Sequence, residues 1–431
     1  MKFLPIRLET SVGANMKTTV INLLQAIVRL LARATIRRFH PQVIAITGSV
    51  GKTSSKEAIA AVVSAVRRVR KSSANFNNEL GVPLTILGSW SRIGRPVLLF
   101  WLRVIGWGML QLIVGSKRWY PQVLVLEYGA DRTGDITALC GIAKPSIAII
   151  SGIGKIPVHV ENYTGGIDAV IREKGKLIAG LLASDTAVLN HDDTAVVSLE
   201  SKTRARVMRY GFREECDVRI LDFHHSTEGL SIRGISFKLA RGGTVVPVVI
   251  RNVFSLSHAY AAACAAAVAS LFDLNIVDAA QALMRDYVPL QGRSLVRPGI
   301  KHTQIIDESY NSSPPALEKA LATMALVSSR RRVAVLGDML ELGDFTLRAH
   351  ETAGRQIFRS VEILVTVGSR AKFIAQAALK NGMRKDAVYI CGTVEEGIEV
   401  LKRVLEQNDL VFIKGSRAVG LEKMVEAVAE M

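Results

Sequence analysis

The chain has 431 residues, which is more than one compact core usually holds, so two or three domains are expected. A hydrophobic content of 49% with 22% charged residues excludes an intrinsically disordered protein. The net charge of +17 favours anionic partners, which include nucleotides, nucleic acid and anionic membrane surfaces.

The cysteines and the first residues bear on the compartment. The four cysteines are scattered without paired spacing, which argues against a disulfide framework and a zinc site and fits a reducing compartment. The opening sequence MKFLPIRLETSVGANMK lacks the apolar core and the cleavage site of a secretory signal. We therefore expect a cytoplasmic protein.

The N-terminal segment, residues 1–41, predicts a short helical unit. Thr18–His40 places apolar residues at helical spacing with four arginines between them, which is typical of a basic amphipathic helix.

The next segment, AITGSVGKTSS, predicts a phosphate-binding loop. A β-branched strand precedes it and a helix follows it, which is the context that such a loop requires. Gly48 and Gly51 let the backbone curl around a phosphate, Lys52 supplies a charge and Thr53 a hydroxyl for Mg²⁺. The usual pattern has glycine where this chain has Ile46. The alternative is a glycine-rich turn with an ordinary surface lysine.

An apolar stretch of 20 residues, Pro96–Gly115, follows. A membrane-spanning helix needs about 20 apolar residues. This stretch, however, lies between the phosphate loop and the next strand of the same sheet, so a single crossing would divide the sheet. We expect a buried helical hairpin or an apolar surface patch.

Three further apolar strands are predicted at Gln122–Ala130, Ser146–Gly154 and Thr186–Asn190. Because they do not alternate, they indicate a parallel sheet covered on both faces. After Gly292, apolar strands again alternate with helical segments, and the predicted strands are TQIIDESY, RRVAVLGDM, VEILVTVG and DLVFIKGS. The sequence thus predicts the α/β class, with a central parallel-sheet ATPase domain over residues 42–292 and a Rossmann-like domain over residues 293–431.

Two polar residues at strand ends are candidate metal ligands. Glu127 interrupts an apolar strand, where a carboxylate is costly unless it is paired or binds a metal. His159 follows another strand, although a lone histidine is more often structural. By the same reasoning Lys174 would belong to a solvated helix face.

The order of motifs resembles that of the Mur ligase family along most of the chain. TGSVGKT is similar to the family's own short phosphate loop, which accounts for Ile46. The other similar motifs are ANFNNELGVPLTIL, LEYGADRTGDI, ISGIGKIPVHVENY, REKGKL, GRSLVRPGIKHTQIIDESYNSSPPALEKAL, AVLGDMLELG and FIKGSRAVGLEKMV. Their forms resemble the branch that adds D-alanyl-D-alanine to a UDP-N-acetylmuramoyl-tripeptide in peptidoglycan synthesis.

The resemblance implies an ATP- and Mg²⁺-dependent amide ligase that acts through an acyl phosphate. It implies catalytic roles for Lys52, Glu127, His159, Lys174 and Lys414. It places Gly48, Ser49, Gly51, Lys52, Thr53, Ser54, His258, Arg293, Asp307, Tyr310 and Asn311 at the nucleotide. It places Thr53, Glu127, His159 and Lys174 at the metals, and Asn77, Asn78, Asp338, Glu341, Ser416 and Arg417 at the substrates.

Within that set, Lys174 matches a lysine that CO₂ carbamylates in the family, and the nearby Lys176 leaves the register open. The partners implied are a nucleotide-sugar peptide and an amino acid or dipeptide, bound by a monomer.

Two departures from the family pattern stand out. His258 and Ala261 occupy positions where the family has asparagines that contact the nucleotide, so His258 is expected to stack on or donate to ATP. Only about 40 residues precede the loop, where peptidoglycan ligases carry a UDP-binding domain. The UDP-sugar site is therefore expected to be missing, reduced or supplied by something else.

Three alternatives stay open. One is a Mur-family ligase for another acid and amine, either lipid-linked or of the polyglutamate type. Another is a non-catalytic scaffold, against which the complete set of metal and phosphate residues argues. A nucleic-acid role is the weakest, because no stacking-aromatic motif or recognition helix is present.

The basic helix and Pro96–Gly115 also suggest peripheral association with the inner face of an anionic membrane. The alternative is that the two helices only pack on each other.

Overall fold

The computed structural model describes residues 11–73, 76–90, 92–157, 159–325 and 327–430, with side chains from residue 23 onward. The first ten residues of the predicted N-terminal unit, and Ala74 and Asn75 of the asparagine-rich motif, lie outside the described residues.

A nine-stranded sheet forms the first half of the molecule, in the order β2-β3-β1-β4-β5-β6-β7-β8-β9. Neighbouring strands are parallel as far as β7, and β7, β8 and β9 form an antiparallel meander. The strands are β1 (Gln42–Thr47), β2 (Val69–Lys71), β3 (Val123–Glu127), β4 (Ile147–Ile150), β5 (Thr186–Asn190), β6 (Arg206–Gly211), β7 (Val218–Glu228), β8 (Ser231–Arg241) and β9 (Thr244–Arg251).

Helices cover both faces of this sheet. Alternate residues of β1 enter two different cores: Ile44 and Ile46 pack with α2 and α8, whereas Val43 and Ala45 pack with α1, α3, α5 and α6. The helices are α1 (Ser11–Phe39), α2 (Lys52–Val63), α3 (Gly81–Leu87), α4 (Val97–Val114), α5 (Asp135–Ile142), α6 (Gly166–Ala179), α7 (Thr194–Val197), α8 (Ser257–Ala269) and α9 (Ile276–Asp286).

A six-stranded sheet forms the second half, in the order β10-β11-β15-β12-β13-β14. Only the β10–β11 pair is antiparallel. The strands are β10 (Leu295–Gly299), β11 (Thr303–Glu308), β12 (Arg332–Gly337), β13 (Ile363–Val367), β14 (Val388–Cys391) and β15 (Leu410–Lys414). The helices are α10 (Pro314–Met324), α11 (Thr346–Ile357), α12 (Lys372–Lys380), α13 (Val394–Val404) and α14 (Glu422–Val428).

The predicted α/β class with two parallel-sheet units is confirmed. The predicted boundary at residue 292 falls between α9 and β10, in the segment that links the two sheets. Several bounds differ from the predictions. The first helix runs from Ser11 to Phe39, and β3 and β4 end before the residues that turn away to form the site loops.

The apolar stretch after α3 forms one helix, α4, so the expectation of a hairpin was wrong. The buried residues of α4 are Phe100, Trp101, Val104 and Gly108. The exposed residues of the helix are apolar apart from Arg103, so the expected apolar surface patch is present. Among the described residues, α4 is the one helix long and apolar enough to cross a membrane by length and composition.

Candidate active site

The phosphate loop joins the end of β1 to the start of α2. Gly48 has φ +149°, and a side chain there would come within 2.4 Å of Ser151 Oγ. Gly51 has φ +84° and caps α2 in the left-handed region. Glycine at both positions therefore lets the loop turn tightly over β4, with the first N–H groups of α2 directed at the loop. This is the backbone geometry of a site for anions.

Two lysines share one carbonyl of this loop. Lys52 Nζ donates to Gly48 O at 2.6 Å, and Lys174 Nζ donates to the same oxygen at 3.4 Å. Burial lowers the pKa of Lys52, and the neighbouring Arg293 adds to that effect while Glu127 opposes it. Burial, followed by repulsion from Lys52, lowers the pKa of Lys174 to about 7.

The structure also separates the two candidate lysines of α6. Lys174 is 1% exposed and lies in the site. Lys176 is 42% exposed at its side chain and forms an ion pair with Glu173 at 2.6 Å. Lys174 is therefore the lysine with access to the phosphate loop.

Glu127 is positioned at the carboxyl end of β3, directly beside the loop. Thr53 Oγ1 donates to Glu127 Oε2 at 3.1 Å, and Asn77 Nδ2 donates to Oε1 at 3.4 Å. The Ser72 hydroxyl accepts the Glu127 backbone N–H. Two hard oxygen ligands, a hydroxyl and a carboxylate, thus face each other at the helix N-terminus.

A buried lysine that the sequence analysis missed stands behind Glu127. Lys56 is fully buried, and its Nζ lies 3.4 Å from Glu57 Oε1 and 3.8 Å from Glu127 Oε2. The sequence could have indicated this lysine, because it lies one helical turn after Thr53 and therefore on the same face of α2.

His159 contacts two carboxylates. Its Nε2 lies 3.3 Å from Asp131 Oδ1 and its Nδ1 lies 3.1 Å from Glu341 Oε2. Glu341 belongs to the second sheet's unit, so His159 also connects the two halves. Asp131 was not predicted, although it follows Glu127 by four residues.

The described residues contain no group of three or more His, Cys, Asp or Glu side chains that would hold a metal by themselves. A metal at Thr53 and Glu127 would therefore take its other ligands from phosphate oxygens and water, which is how Mg²⁺ is usually bound in proteins.

The linker brings a cation from the second half into the site. Arg293 Nη2 donates to Thr53 Oγ1 at 3.2 Å, and its guanidinium lies 3.9 Å from the centre of the Tyr310 ring. Arg417 lies 4.8 Å from the same ring centre. The Tyr310 ring thus contacts two arginines, of which Arg293 reaches the phosphate loop.

His258 was predicted to contact the nucleotide, but the structure buries it against the linker. It is fully buried, with Nε2 2.9 Å from Arg293 O and Nδ1 2.7 Å from Tyr287 Oη. Burial lowers the pKa of His258 to about 4, so the ring is neutral, and Nε2 carries the proton because a carbonyl only accepts. His258 therefore anchors the linker and does not face the nucleotide cleft, which corrects the expectation of a stacking or donating role.

Two other predicted residues also have structural partners. Asp307 is buried and accepts from Gly292 N at 3.1 Å and from Ser309 Oγ at 2.6 Å. Asn78 Oδ1 accepts from Leu80 N and Gly81 N, so it caps α3. Both side chains therefore shape the loops around the site.

A cleft between the two sheets adjoins the phosphate loop. Lys414 enters it from β15, buried, with its Nζ 2.7 Å from Glu308 Oε2 and 3.0 Å from Asn311 O. The lining residues predicted from the sequence are Ser49, Gly51, Ser54, Arg293, Asn311 and Lys414. Lining residues that were not predicted include Asn190, Tyr210, Ser255, Tyr260, Glu308 and Lys319.

The remaining predicted substrate residues lie at the carboxyl ends of the second sheet. Asp338 accepts from the backbone N–H groups of Arg370 and Ala371 and borders a second cleft. Ser416 Oγ accepts from Leu340 N. These residues lie on the same side of the second sheet as Glu341 and Arg417.

Comparison with known proteins gives a consistent result. The model of the Mur ligase middle domain matches residues 109–266, and that of the Mur ligase glutamate ligase domain matches residues 292–417. The UDP-N-acetylmuramoyl-tripeptide–D-alanyl-D-alanine ligase of Bacillus subtilis is 28% identical over 404 residues, which cover 93% of this chain and 78% of the relative.

Two further matches agree. The Escherichia coli ligase with the same activity in its name is 25% identical over 92% of this chain and 79% of the relative. The structure of the MurF ligase of Thermotoga maritima in complex with ADP superposes with a TM-score of 0.75 at 22% identity, over 94% of this chain and 83% of that one.

Proposed function

Since this chain belongs to the Mur ligase family, we propose that it is an ATP-dependent, ADP-forming ligase that joins a carboxylic acid to an amine. The proposed acid is a UDP-N-acetylmuramoyl-tripeptide and the proposed amine is D-alanyl-D-alanine, the pair in the names of the relatives from B. subtilis and E. coli. One observation carries the proposal: Thr53 of the phosphate loop contacts both Glu127 and the linker Arg293.

The reaction has two steps. A carboxylate oxygen of the acid attacks the γ-phosphorus of ATP, which gives an acyl phosphate and ADP. The amine nitrogen then attacks the acyl carbon, the carbon–oxygen bond to phosphate breaks, and the nitrogen loses a proton. Both steps bring anions together, so the site must supply positive charge.

The described residues supply that charge from three directions. Lys52 follows the loop backbone, Arg293 enters from the linker, and the N-terminus of α2 adds its partial positive charge. Arg293 stands over Tyr310, which fixes its guanidinium before ATP arrives. Such prior arrangement lowers the reorganisation that the transition state requires.

We propose that Mg²⁺ binds at Thr53 and Glu127, because this pair presents the hydroxyl and carboxylate oxygens that Mg²⁺ prefers. When bound, the ion would neutralise charge on the transferring phosphoryl group. We further propose that His159 and a carbamylated Lys174 serve a second ion. The lowered pKa of Lys174 supports this, because only the neutral amine reacts with CO₂.

The amine substrate is proposed to bind at the carboxyl ends of the strands of the second sheet. This region contains Asp338, Glu341, Ser416 and Arg417, and the contact between His159 and Glu341 brings it to the phosphate loop. Lys414 lies buried between these carboxyl ends and the cleft. Contact between the two halves around the site would keep water from the acyl phosphate.

We also propose that the chain works as a monomer in the cytoplasm, at the inner face of the membrane. Its domains would be divided at residues 41 and 292.

The nucleotide is proposed to lie in the cleft lined by Asn190, Tyr260 and Lys319, since this cleft adjoins the phosphate loop.

The proposal is tested by phosphate release from ATP and Mg²⁺, with the UDP-tripeptide and D-alanyl-D-alanine added separately and together. Release that requires both substrates, with formation of the UDP-pentapeptide, is expected. ATP binding without release would assign another acid and amine to the ligase. Absence of ATP binding would favour a non-catalytic scaffold.

A further inference from the structure

The exposed face of α4 carries an apolar stripe that runs along the helix, with Arg103 as its one exposed charged residue. Leu98, Leu102, Met109 and Ile113 are 73%, 58%, 50% and 75% exposed. They fall on one stripe, because separations of 4, 11 and 15 residues are close to whole numbers of helical turns. A surface of this kind on a folded chain marks an interaction site.

Contacts on both sides of α4 fix how it can meet a membrane. Tyr120, which follows the helix, donates through its hydroxyl to the carbonyl of Ile86, which precedes the helix, at 2.8 Å. Arg38 of α1 donates to Gly115 O at 3.1 Å, at the helix C-terminus. Since both flanks are tied to the same unit, α4 cannot pass through a bilayer in this fold and presents its exposed side to whatever covers it.

The chain segment that carries α4 has charges of one sign. Residues 80–126 contain five cationic side chains and no Asp or Glu. All five are exposed, and they stand before, within and after the helix: Arg92, Arg95, Arg103, Lys117 and Arg118. Trp119, 80% exposed, lies next to the last two. Cations and tryptophan beside an apolar helix are typical of contact with lipid head groups.

We propose that α4 docks the protein on an anionic lipid bilayer, lying in the plane of the surface with its apolar stripe among the acyl chains. The helix is about 27 Å long, so it would cover a line of lipids, with its cations at the head groups. The inference makes the proposed membrane location specific, and it does not require the proposed ligase activity.

A second copy of the chain is the alternative occupant. Two copies that met through α4 would bring the same five cations face to face, with no acidic residue between residues 80 and 126 to offset them. A bilayer with anionic head groups removes that repulsion. The charge therefore selects the membrane.

The test is co-sedimentation of the full chain with vesicles of phosphatidylcholine, with and without phosphatidylglycerol, in the absence of ATP. The wild type is expected to sediment with the anionic vesicles at low salt and to be released by high salt. The apolar variant, Leu98→Gln with Leu102→Gln and Ile113→Gln, is expected to bind at least about tenfold more weakly.

Two control variants match these changes elsewhere on the surface. Leu182→Gln with Leu230→Gln and Ile390→Gln removes side chains of 57%, 53% and 53% exposure from other regions, and binding should be retained. The charge variant, Arg95→Gln with Lys117→Gln and Arg118→Gln, should lose binding. Its control, Arg348→Gln with Arg384→Gln and Lys385→Gln, should keep it.

Three results would overturn the inference. The wild type does not bind anionic vesicles, or binds neutral vesicles equally well. The apolar variant binds as tightly as the wild type. Sedimentation velocity shows a dimer that the apolar variant abolishes, without vesicle binding, which would assign the face to a second copy. ATP-dependent phosphate release, measured without vesicles, reports separately on the proposed function.

Discussion

At the scale of single residues, Lys174 shows how burial changes a lysine's chemistry. Its ammonium is enclosed beside Lys52, and its pKa is lowered from 10.5 to about 7. Because carbamylation consumes the neutral amine, the carbamylated fraction should rise with pH through about 7 and fall below it. Added bicarbonate should therefore raise phosphate release above this pH and have little effect below it.

The matched variants are Lys174→Met and Lys176→Met. Loss of a carboxylate-like metal ligand should lower kcat about a hundredfold or more in the first. Lys176 pairs with Glu173 near the surface, so its variant should keep activity. Equal activity of the two variants would contradict the assigned role of Lys174.

Lys56 gives a second residue-level prediction. Its buried ammonium lies between the carboxylates of Glu57 and Glu127. The Lys56→Met variant would leave both carboxylates buried without this positive charge. The free energy of unfolding should fall by about 3 kcal/mol. Lys71 also pairs with Glu57 but is 46% exposed at its side chain, so Lys71→Met should cost less than about 1 kcal/mol. Urea unfolding measures both, and similar losses would refute the distinction.

His258 gives a prediction about pH. Its pKa is lowered in the folded state to about 4, from 6.5, so protons bind the unfolded chain more tightly. Its contribution to stability is therefore fully present above about pH 6.5 and is lost as the pH falls towards 4. At pH 5 the loss should be about 2 kcal/mol.

His258→Gln should remove this pH dependence, because the glutamine amide can donate to Arg293 O and accept from Tyr287 Oη without titrating. Its ATP affinity should match that of the wild type, measured by calorimetry. A large loss of ATP affinity in this variant would restore His258 to the nucleotide site.

At the scale of elements, the linker between α9 and β10 decides where Arg293 lies. Gly292 has φ +71°, and a side chain there would meet Tyr310 N at 2.9 Å. Gly292→Ala should displace Tyr310 and Arg293 and lower kcat/KM for ATP at least about tenfold. Gly382→Ala is the control, because Gly382 has φ +106° and open space around it. If both variants are less stable but keep the wild-type kcat/KM for ATP, the linker does not position Arg293.

Elements also differ in how far the sequence reveals them. β1, β3, β4 and β5 have apolar centres without alternation because helices cover both faces, and all four were predicted. The meander β7–β9 was missed because it has one exposed face and carries polar side chains such as His224 and Lys238. For α4, sequence hydropathy could not tell a buried hairpin from an exposed helix, because neighbouring helices determine which face is covered.

At the scale of the whole molecule, the site exists only where the two halves meet. His159 contacts Glu341, Arg293 reaches Thr53, and the amide of Gln304 pairs with both backbone groups of Ile232. The motifs predicted most of the phosphate-loop residues, since loop geometry is local. They could not predict the pairing of His159 or the burial of His258, because those depend on which residues the other half supplies.

The central claim, amide formation through an acyl phosphate, is tested most directly with a heavy oxygen isotope in the acid substrate's terminal carboxylate. After turnover with ATP, Mg²⁺ and D-alanyl-D-alanine, we expect one labelled oxygen in each inorganic phosphate released, because the attacking carboxylate oxygen leaves with phosphate. The same experiment with Lys174→Met should give neither phosphate nor label above background. Phosphate released without label, or release that does not depend on the amine, would contradict the account.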